Sequence, residues 1–269
     1  MSPARFPYRV AIVTGAGKGI GRAVALILAD VGVGIVANAR TLADIEGLAA
    51  EIAAAGGACL PVAGDVAEEA TAAALADAAR DRFGGPCDLL VNAAGIQPPA
   101  TGIDELPLAA WRETIEVNLT GTFLLCRAVL PEMKRMQRGR ILNIASGLAV
   151  HAQPGLAAYG AAKAGVVQFS AVLAAEAAPF GITVNSLHPG IVDTALLRRN
   201  LADRRDGFAR QMNERIATLK RISPEASARF IVWLAASSAE NGAFVRIGEP
   251  EVDDAVSAFW RARAHGAET

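Results

Sequence analysis

Residues Tyr8–Gly32 read YRVAIVTGAGKGIGRAVALILADVG, and their reading decides the fold. Tyr8 to Val13 is a short run rich in β-branched residues, as expected of a buried strand. Gly15, Gly17, Gly19 and Gly21 then punctuate a turn that opens directly into an amphipathic helix. Glycines let a backbone approach a phosphate closely, and a helix N-terminus offers free N–H groups and the positive end of its dipole. The plainer reading is a tight β-to-α turn. A strand before the turn, a helix after it and a second strand beyond favour a dinucleotide phosphate site.

That second strand is Val33 to Ala37, ending at Asn38, Ala39 and Arg40. An acidic residue at such a strand end accepts from the 2′-hydroxyl of NAD, whereas an arginine pairs with the 2′-phosphate of NADP. Arg40 stands there without an acid, and Lys18 in the glycine turn offers a second positive charge. The chemistry predicts NADP(H), against the plainer reading of two solvated surface charges.

Alternation of strands and helices continues outward. Helices are expected over Leu42–Ala55 and Ala70–Phe83, with strands over Ala58–Ala63 and Asp88–Asn92. Asp65 follows a strand end, where it can meet the adenine amino group or cap the next helix. Leu106 to Met136 reads as one long helical region. Asn118 lies inside it, a poor mid-helix residue unless it distorts the helix to hold water or bonds to another helix. Arg140–Ala145 and Ile182–Leu187 are further strands, and Ala243–Ile247 is a short last one. Leu196 to Arg221 is a charged helical excursion, its arginines mixed with Asp203, Asp206 and Glu214; a solvated cover over the site and an anion-recognising surface are both open. The pattern predicts an α/β fold: one doubly wound parallel sheet of about seven strands with helices on both faces. All 269 residues are expected in one domain, with 195–221 as a lid and 249–269 as a C-terminal extension.

Ser146 follows the strand ILNIAS, with Tyr159 thirteen positions later and Lys163 four beyond that. Residues four apart share a helix face. An ammonium beside a phenol favours the phenolate, so the trio reads as proton donor, pKa tuner and hydrogen-bond donor to a carbonyl oxygen. A surface Tyr–Lys pair with a turn serine is the plainer reading.

Composition narrows the classes. The chain is 52% hydrophobic and 20% charged with a formal net charge of -1, which gives no reason to expect nucleic acid or an anionic membrane. Cys59, Cys87 and Cys126 have no metal-ligand spacing and read as buried thiols in a reducing compartment, with no metal site. The start, MSPARFPYRV, has no apolar run of a secretory leader, and other apolar stretches are broken by charges or glycine. A cytoplasmic location is expected.

Taken in order, T14-G15-A16-G17-K18-G19-I20-G21, Asp65, N92-A93-A94-G95, Asn118, Ser146, Y159-G160-A161-A162-K163 and P189-G190-I191-V192-D193-T194 make the sequence resemble the short-chain dehydrogenase/reductases over about residues 7–247. The likeness extends to 3-oxoacyl-carrier-protein reductase-like members. It implies a Rossmann fold and an oxidoreductase in which Tyr159 is general acid for carbonyl reduction or base for alcohol oxidation. Lys163 would lower its pKa and hold the nicotinamide ribose. Ser146 would bond the carbonyl oxygen, and Asn118 would hold a water linking Lys163 to solvent. The resemblance puts Gly15, Gly17, Lys18, Gly19, Ile20, Gly21, Ala39, Arg40, Asp65, Val66, Asn92, Ala93 and Gly95 around the cofactor. Pro189, Gly190, Ile191 and Thr194 would join them at its nicotinamide end. It also implies a homodimer or homotetramer built on the Asn118 and Tyr159 helices.

The family's Asp-Gly-Gly ending is replaced here by NGAFVRIGEPEV and about twenty further residues, which bears on substrate and assembly. Ile96, Gln97, Leu148, His151, Gln153, Leu196 and Leu197, with Ile191, are the expected substrate contacts; His188 reads as structural. A mostly apolar pocket of this kind suits a ketone, acyl chain or ring. Reduction of 3-oxoacyl thioesters or other ketones, with the arginines of 198–221 reading a phosphate or acid, is the first expectation. An oxidative alcohol or diol dehydrogenase is the second. A nucleotide-binding regulator without turnover is the third, and a complete Asn118, Ser146, Tyr159 and Lys163 set speaks against it.

Overall fold

The computed structural model describes residues 6–201, 207–237 and 240–266. The strands are β1 (Val10–Val13), β2 (Gly34–Ala39), β3 (Cys59–Ala63), β4 (Leu89–Asn92), β5 (Gly139–Ile144), β6 (Ile182–His188), β7 (Ile191–Val192), β8 (Arg221–Ile222) and β9 (Phe244–Arg246). Seven form one parallel sheet in the order β3-β2-β1-β4-β5-β6-β9, and β7 pairs with β8 apart from it. The helices are α1 (Gly19–Asp30), α2 (Leu42–Ala54), α3 (Glu69–Phe83), α4 (Leu108–Ile115), α5 (Gly121–Met136), α6 (Ala157–Ala177), α7 (Ala195–Leu201), α8 (Phe208–Ala217), α9 (Pro224–Ala236) and α10 (Pro250–Gly266).

The strands read as almost unbroken apolar runs because helices bury both faces. Successive side chains leave opposite faces of a strand. Ala11 and Val13 of β1 therefore join one core, with Leu28 of α1, Leu48 of α2 and Phe230 of α9. Val10 and Ile12 join the other, with Leu75 of α3, Leu125 of α5 and Leu173 of α6. Each fully buried Leu or Ile in these layers contributes about 1.5–3 kcal/mol. At the amino edge of the sheet, Asp88 ties β1 to β4. Its Oδ1 accepts from the backbone N–H of Arg9 at 2.9 Å and of Val10 at 3.0 Å.

Several expectations change. The single helix over Leu106–Met136 is two helices joined by a π-helical turn, Glu116–Thr120. Asn118 supplies the cause. Its side-chain Nδ2 donates to Thr114 O at 2.9 Å, competing with the backbone ladder, and Thr122 Oγ1 donates to Asn118 O at 2.9 Å. The β7–β8 ribbon was not expected, since two-residue strands leave no periodicity to read. Cys59 is half-buried rather than buried, while Cys87 and Cys126 are enclosed. Burial pushes both enclosed thiols up to about 12. Beyond the last strand, Val252, Val256 and Trp260 of α10 pack on the first core, and Trp260 Nε1 donates to Arg229 O at 3.1 Å. Among the described residues no helix is long and apolar enough to cross a membrane, and no His/Cys/Asp/Glu cluster could hold a metal ion.

Sheet order reverses at β1, whose neighbours are β2 and β4. Ligands of doubly wound sheets bind at such a switch point, beyond the carboxyl ends of the strands. Glycine turn, β4 loop, Ser146 and His188 all lie at that edge.

Candidate active site

The glycine turn is held by backbone fit. Gly15 has φ +63°, a left-handed conformation that favours glycine. A Cβ on Gly21 would lie 2.4 Å from Gly15 O, so α1 packs directly on the turn. α1 begins after Lys18 without a side-chain cap and without an acid in its first turn. Its first N–H groups and dipole therefore remain available to an anion. Thr14 Oγ1 accepts from the N–H of Ala93 and of Ala94, each at 3.1 Å, and so fixes the β4 loop against the turn.

A groove of about 450 Å³ runs along this edge. Gly15, Gly17, Lys18, Gly19, Ile20, Gly21, Ala39, Arg40, Asp65, Val66, Ala93, Gly95 and Thr194 line it. Arg40 is exposed and has no ion-pair partner among the described residues. Lys18 differs from expectation: its Nζ lies 3.0 Å from Asp44 Oδ2, so part of its charge is answered by α2. Asp65 does not cap α3, whose N-cap is Glu68; its Oδ1 accepts from Ala67 N at 3.0 Å in a local turn. The groove's composition fits a phosphate-bearing dinucleotide: small residues, an uncapped helix start and an unpaired guanidinium.

Two expected contacts move. Asn92 points into the core, 4% exposed, and is absent from the groove. Its Nδ2 donates to Asn143 Oδ1 at 2.9 Å, and Asn143 Nδ2 donates to Ser170 Oγ at 2.9 Å. Leu90 and Asn92 share a strand face, and that face meets α5 and α6. Ile96, expected at the substrate, lies on the cofactor groove instead. The Asn118 side chain holds it there, with Nδ2 donating to Ile96 O at 2.8 Å and Ile96 N donating to Oδ1 at 3.3 Å. Asn118 thus ties the helix to a loop, not to another helix.

A second cavity of about 360 Å³ adjoins the groove, sharing Ile20, Ala93, Gly95, Thr194 and Leu196 with it. Asn118, Ser146, Tyr159 and Lys163 line it, as do Pro189, Gly190 and Ile191. So do the expected substrate contacts Gln97, Leu148, His151, Gln153, Leu196 and Leu197. Sequence reasoning missed Leu156, Asn200, Ile216 and Leu219, which also line it; the last three come from the α7–α8 segment, whose docking no periodicity reveals.

Tyr159 and Lys163 lie in the first two turns of α6. Lys163 is 5% exposed, and its Nζ donates to Ile144 O at 2.7 Å. Burial pushes its ammonium down to about 8. The ammonium lies 5.8 Å from the centre of the Tyr159 ring. Burial nevertheless raises the Tyr159 phenol above its ordinary value, and a hydrogen bond with Ser146 lowers it only in part. The downward shift expected from Lys163 does not arise; desolvation dominates, and the phenol keeps its proton at neutral pH. Ser146 Oγ accepts from Leu148 N at 3.2 Å, and its own proton is directed to the Tyr159 oxygen in the cavity. A Cβ at Gly95 would lie 2.7 Å from Asn118 Oδ1 and 3.6 Å from Lys163 Nζ, so Asn118 and Lys163 converge there.

The described arginines of the α7–α8 segment do not line this cavity. Arg198 makes a bidentate pair with Asp193, with Nε and Nη2 each at 2.8 Å. Arg199 lines the cofactor groove and donates to Gln97 O at 3.4 Å. Arg210 pairs with Glu214 at 3.2 Å. Asp203, Arg204, Arg205 and Asp206 lie outside the described residues.

A doubly wound sheet with an anion-ready glycine turn beside a protonated phenol defines the class: an oxidoreductase built to bind a dinucleotide. Comparison with known proteins agrees. The pattern of the short chain dehydrogenase family matches residues 9–205. A 3-oxoacyl-[acyl-carrier-protein] reductase from Synechocystis is 41% identical over 187 residues, 69% of this chain and 75% of the relative. Cis-4-hydroxycyclohexanecarboxylate dehydrogenase from Sinomonas cyclohexanicum is 39% identical over 87% of this chain and 92% of the relative. A crystal structure from Beutenbergia cavernae, assigned as an NAD(P) dependent gluconate 5-dehydrogenase and holding NADP at low occupancy, superposes with a TM-score of 0.78. It is 36% identical, covering 88% of this chain and 94% of that one. The chain belongs to the short-chain dehydrogenase family, oxidoreductases that interconvert alcohols and carbonyl compounds.

Proposed function

We propose that this protein is an NADP(H)-dependent reductase of ketones, with Tyr159 as the general acid. The observation that carries the reading is the protonated Tyr159 phenol, hydrogen-bonded to Ser146 in the cavity that adjoins the dinucleotide groove. A phenol that keeps its proton is the form that carbonyl reduction consumes. When bound, the cofactor supplies the hydride.

The chain's residues do the rest. Ser146 donates to the carbonyl oxygen as negative charge develops there, and Tyr159 delivers its proton to the same oxygen. Lys163, its ammonium brought down to about 8 by burial, is anchored at Ile144 O and borders the site where the cofactor ribose would lie. Asn118 holds the β4 loop by Ile96 and so sets the wall behind Lys163. Residues 195–221 act as the lid over both cavities, since α7 contributes Leu196, Leu197 and Arg199 to their walls. The NADP bound in the Beutenbergia cavernae relative supports the choice of cofactor.

Arg40 decides NADP(H) over NAD(H). A hydrogen bond to a charged group is worth about 1.5–3 kcal/mol, or about ten- to a hundredfold in affinity. Arg40→Asp should erase that much of the NADPH affinity while leaving NADH binding little changed, as read by fluorescence titration. Equal losses for both cofactors would remove Arg40 from the 2′-phosphate.

A further inference from the structure

We propose that His188 is a second recognition point for the substrate, so that the cavity selects uncharged ketones bearing another oxygen on a neighbouring carbon. The inference rests on the reductase reading above and names its substrate class. His188 ends β6 at the carboxyl edge of the sheet and lines the cavity with Ser146 and Tyr159.

Its tautomer follows from its partners. Nδ1 accepts the backbone N–H of Gly147 at 3.1 Å. A neutral imidazole has one N–H, so the hydrogen is on Nε2. Burial first, then Arg246 and His151, hold the ring's pKa below the usual imidazole value, which keeps it neutral at neutral pH. Nε2 donates to no group among the described residues. Gly147 lies against the ring: a Cβ there would stand in ordinary contact with it, 3.4 Å from Nε2. Sequence reasoning took His188 as structural. Its Nδ1 has that role, and its Nε2–H is left for a ligand.

Position sets the substrate's shape. His188 Nδ1 holds the N–H of Gly147, the residue that follows Ser146, so the imidazole stands next in the chain to the serine that holds the reacting oxygen. A ligand oxygen within reach of Nε2 belongs on a carbon next to the carbonyl. Charge sets the rest. The described lining has no carboxylate, and its one ammonium is Lys163, which donates to Ile144 O at 2.7 Å. A carboxylate or phosphate in this cavity would be desolvated with only that ammonium, which also borders the cofactor ribose, to answer it. Neutral donors read a neutral oxygen at no such cost.

The test compares kcat/KM of the full chain for a simple ketone, the matching α-hydroxyketone and the matching 2-oxoacid, with NADPH. The wild type should favour the hydroxyketone over both. The ratio of hydroxyketone to simple ketone should fall about tenfold in His188→Leu, through KM, the worth of one neutral hydrogen bond. His188→Gln, which keeps both an acceptor and a donor, should restore much of it. An unchanged ratio in His188→Leu would leave His188 as support for Gly147 and overturn the proposal. So would a wild type that prefers the oxoacid, or one that does not distinguish the hydroxyketone from the ketone, even if His188→Leu fails to fold. Binding of NADPH with no turnover of any ketone, nor of the corresponding alcohols with NADP, would overturn the reductase reading and this inference with it.

Discussion

Tyr159→Phe should lower kcat by about a hundred- to ten-thousandfold, the usual contribution of a placed general acid. The substitution removes one oxygen. It keeps the ring 5.8 Å from the Lys163 ammonium and leaves the α6 backbone untouched. The cost falls on the proton alone, since Ser146 can still bond the carbonyl oxygen and no other hydroxyl of that acidity is described in the cavity. Cofactor affinity and melting temperature should therefore remain at wild-type values. A variant with wild-type kcat would remove Tyr159 as the acid. One that lost kcat together with cofactor binding would make it a structural residue. The same reasoning accounts for the phenol's raised pKa: burial opposes the charged form, so Tyr159 enters the reaction protonated.

Gly21→Ala should damage the dinucleotide groove more than any other single methyl group. The new Cβ would stand 2.4 Å from Gly15 O, 2.7 Å from Gly15 C and 2.9 Å from Thr14 O. All three are backbone atoms, which cannot swing aside as a flexible side chain can. α1 must therefore move off the turn, and with it the uncapped N–H groups that face the groove. Overpacking of this kind costs about 1–3 kcal/mol of stability. Loss of cofactor affinity should exceed loss of stability, because the displaced groups are the anion site itself. Gly47→Ala in α2 is the matched control: its Cβ meets nothing within 4 Å, so the substitution should stabilise the helix by about 0.5–1 kcal/mol. Chemical denaturation and NADPH titration of both variants read the contrast. Equal behaviour would mean that α1 does not rest on the turn as described.

Much of this architecture was legible in the residues because local and global signals agree. The run VAIV reads as a strand buried on two faces, and its alternate residues do enter two cores. Glycines between that strand and α1 located the switch point before any coordinates did. Ser146, Tyr159 and Lys163 could be grouped because helix periodicity aligns the last two and a strand end delivers the first. What escaped depends on partners remote in sequence. Asn92 was read as a cofactor contact from the family resemblance, although period-two alternation already assigned it to the face of Leu90. Ile96 follows the loop that Asn118 captures, and only the π-helical turn brings that amide to it. The tautomer of His188 is set by a backbone N–H forty-one residues away. The dominance of burial at Tyr159 needed the depth of the site, which spacing does not supply.

Hydride transfer to a carbonyl carbon is the central claim, and one measurement addresses it directly. The purified protein is incubated with NADPH carrying deuterium at the transferring C4 position and a panel of ketones and hydroxyketones, and the products are analysed by mass spectrometry. Alcohol product with deuterium on its carbinol carbon, formed by the wild type and not by Tyr159→Phe, is the result expected. NADPH bound without any labelled alcohol, together with no oxidation of the matching alcohols by NADP, would contradict it and leave a dinucleotide-binding protein without this chemistry.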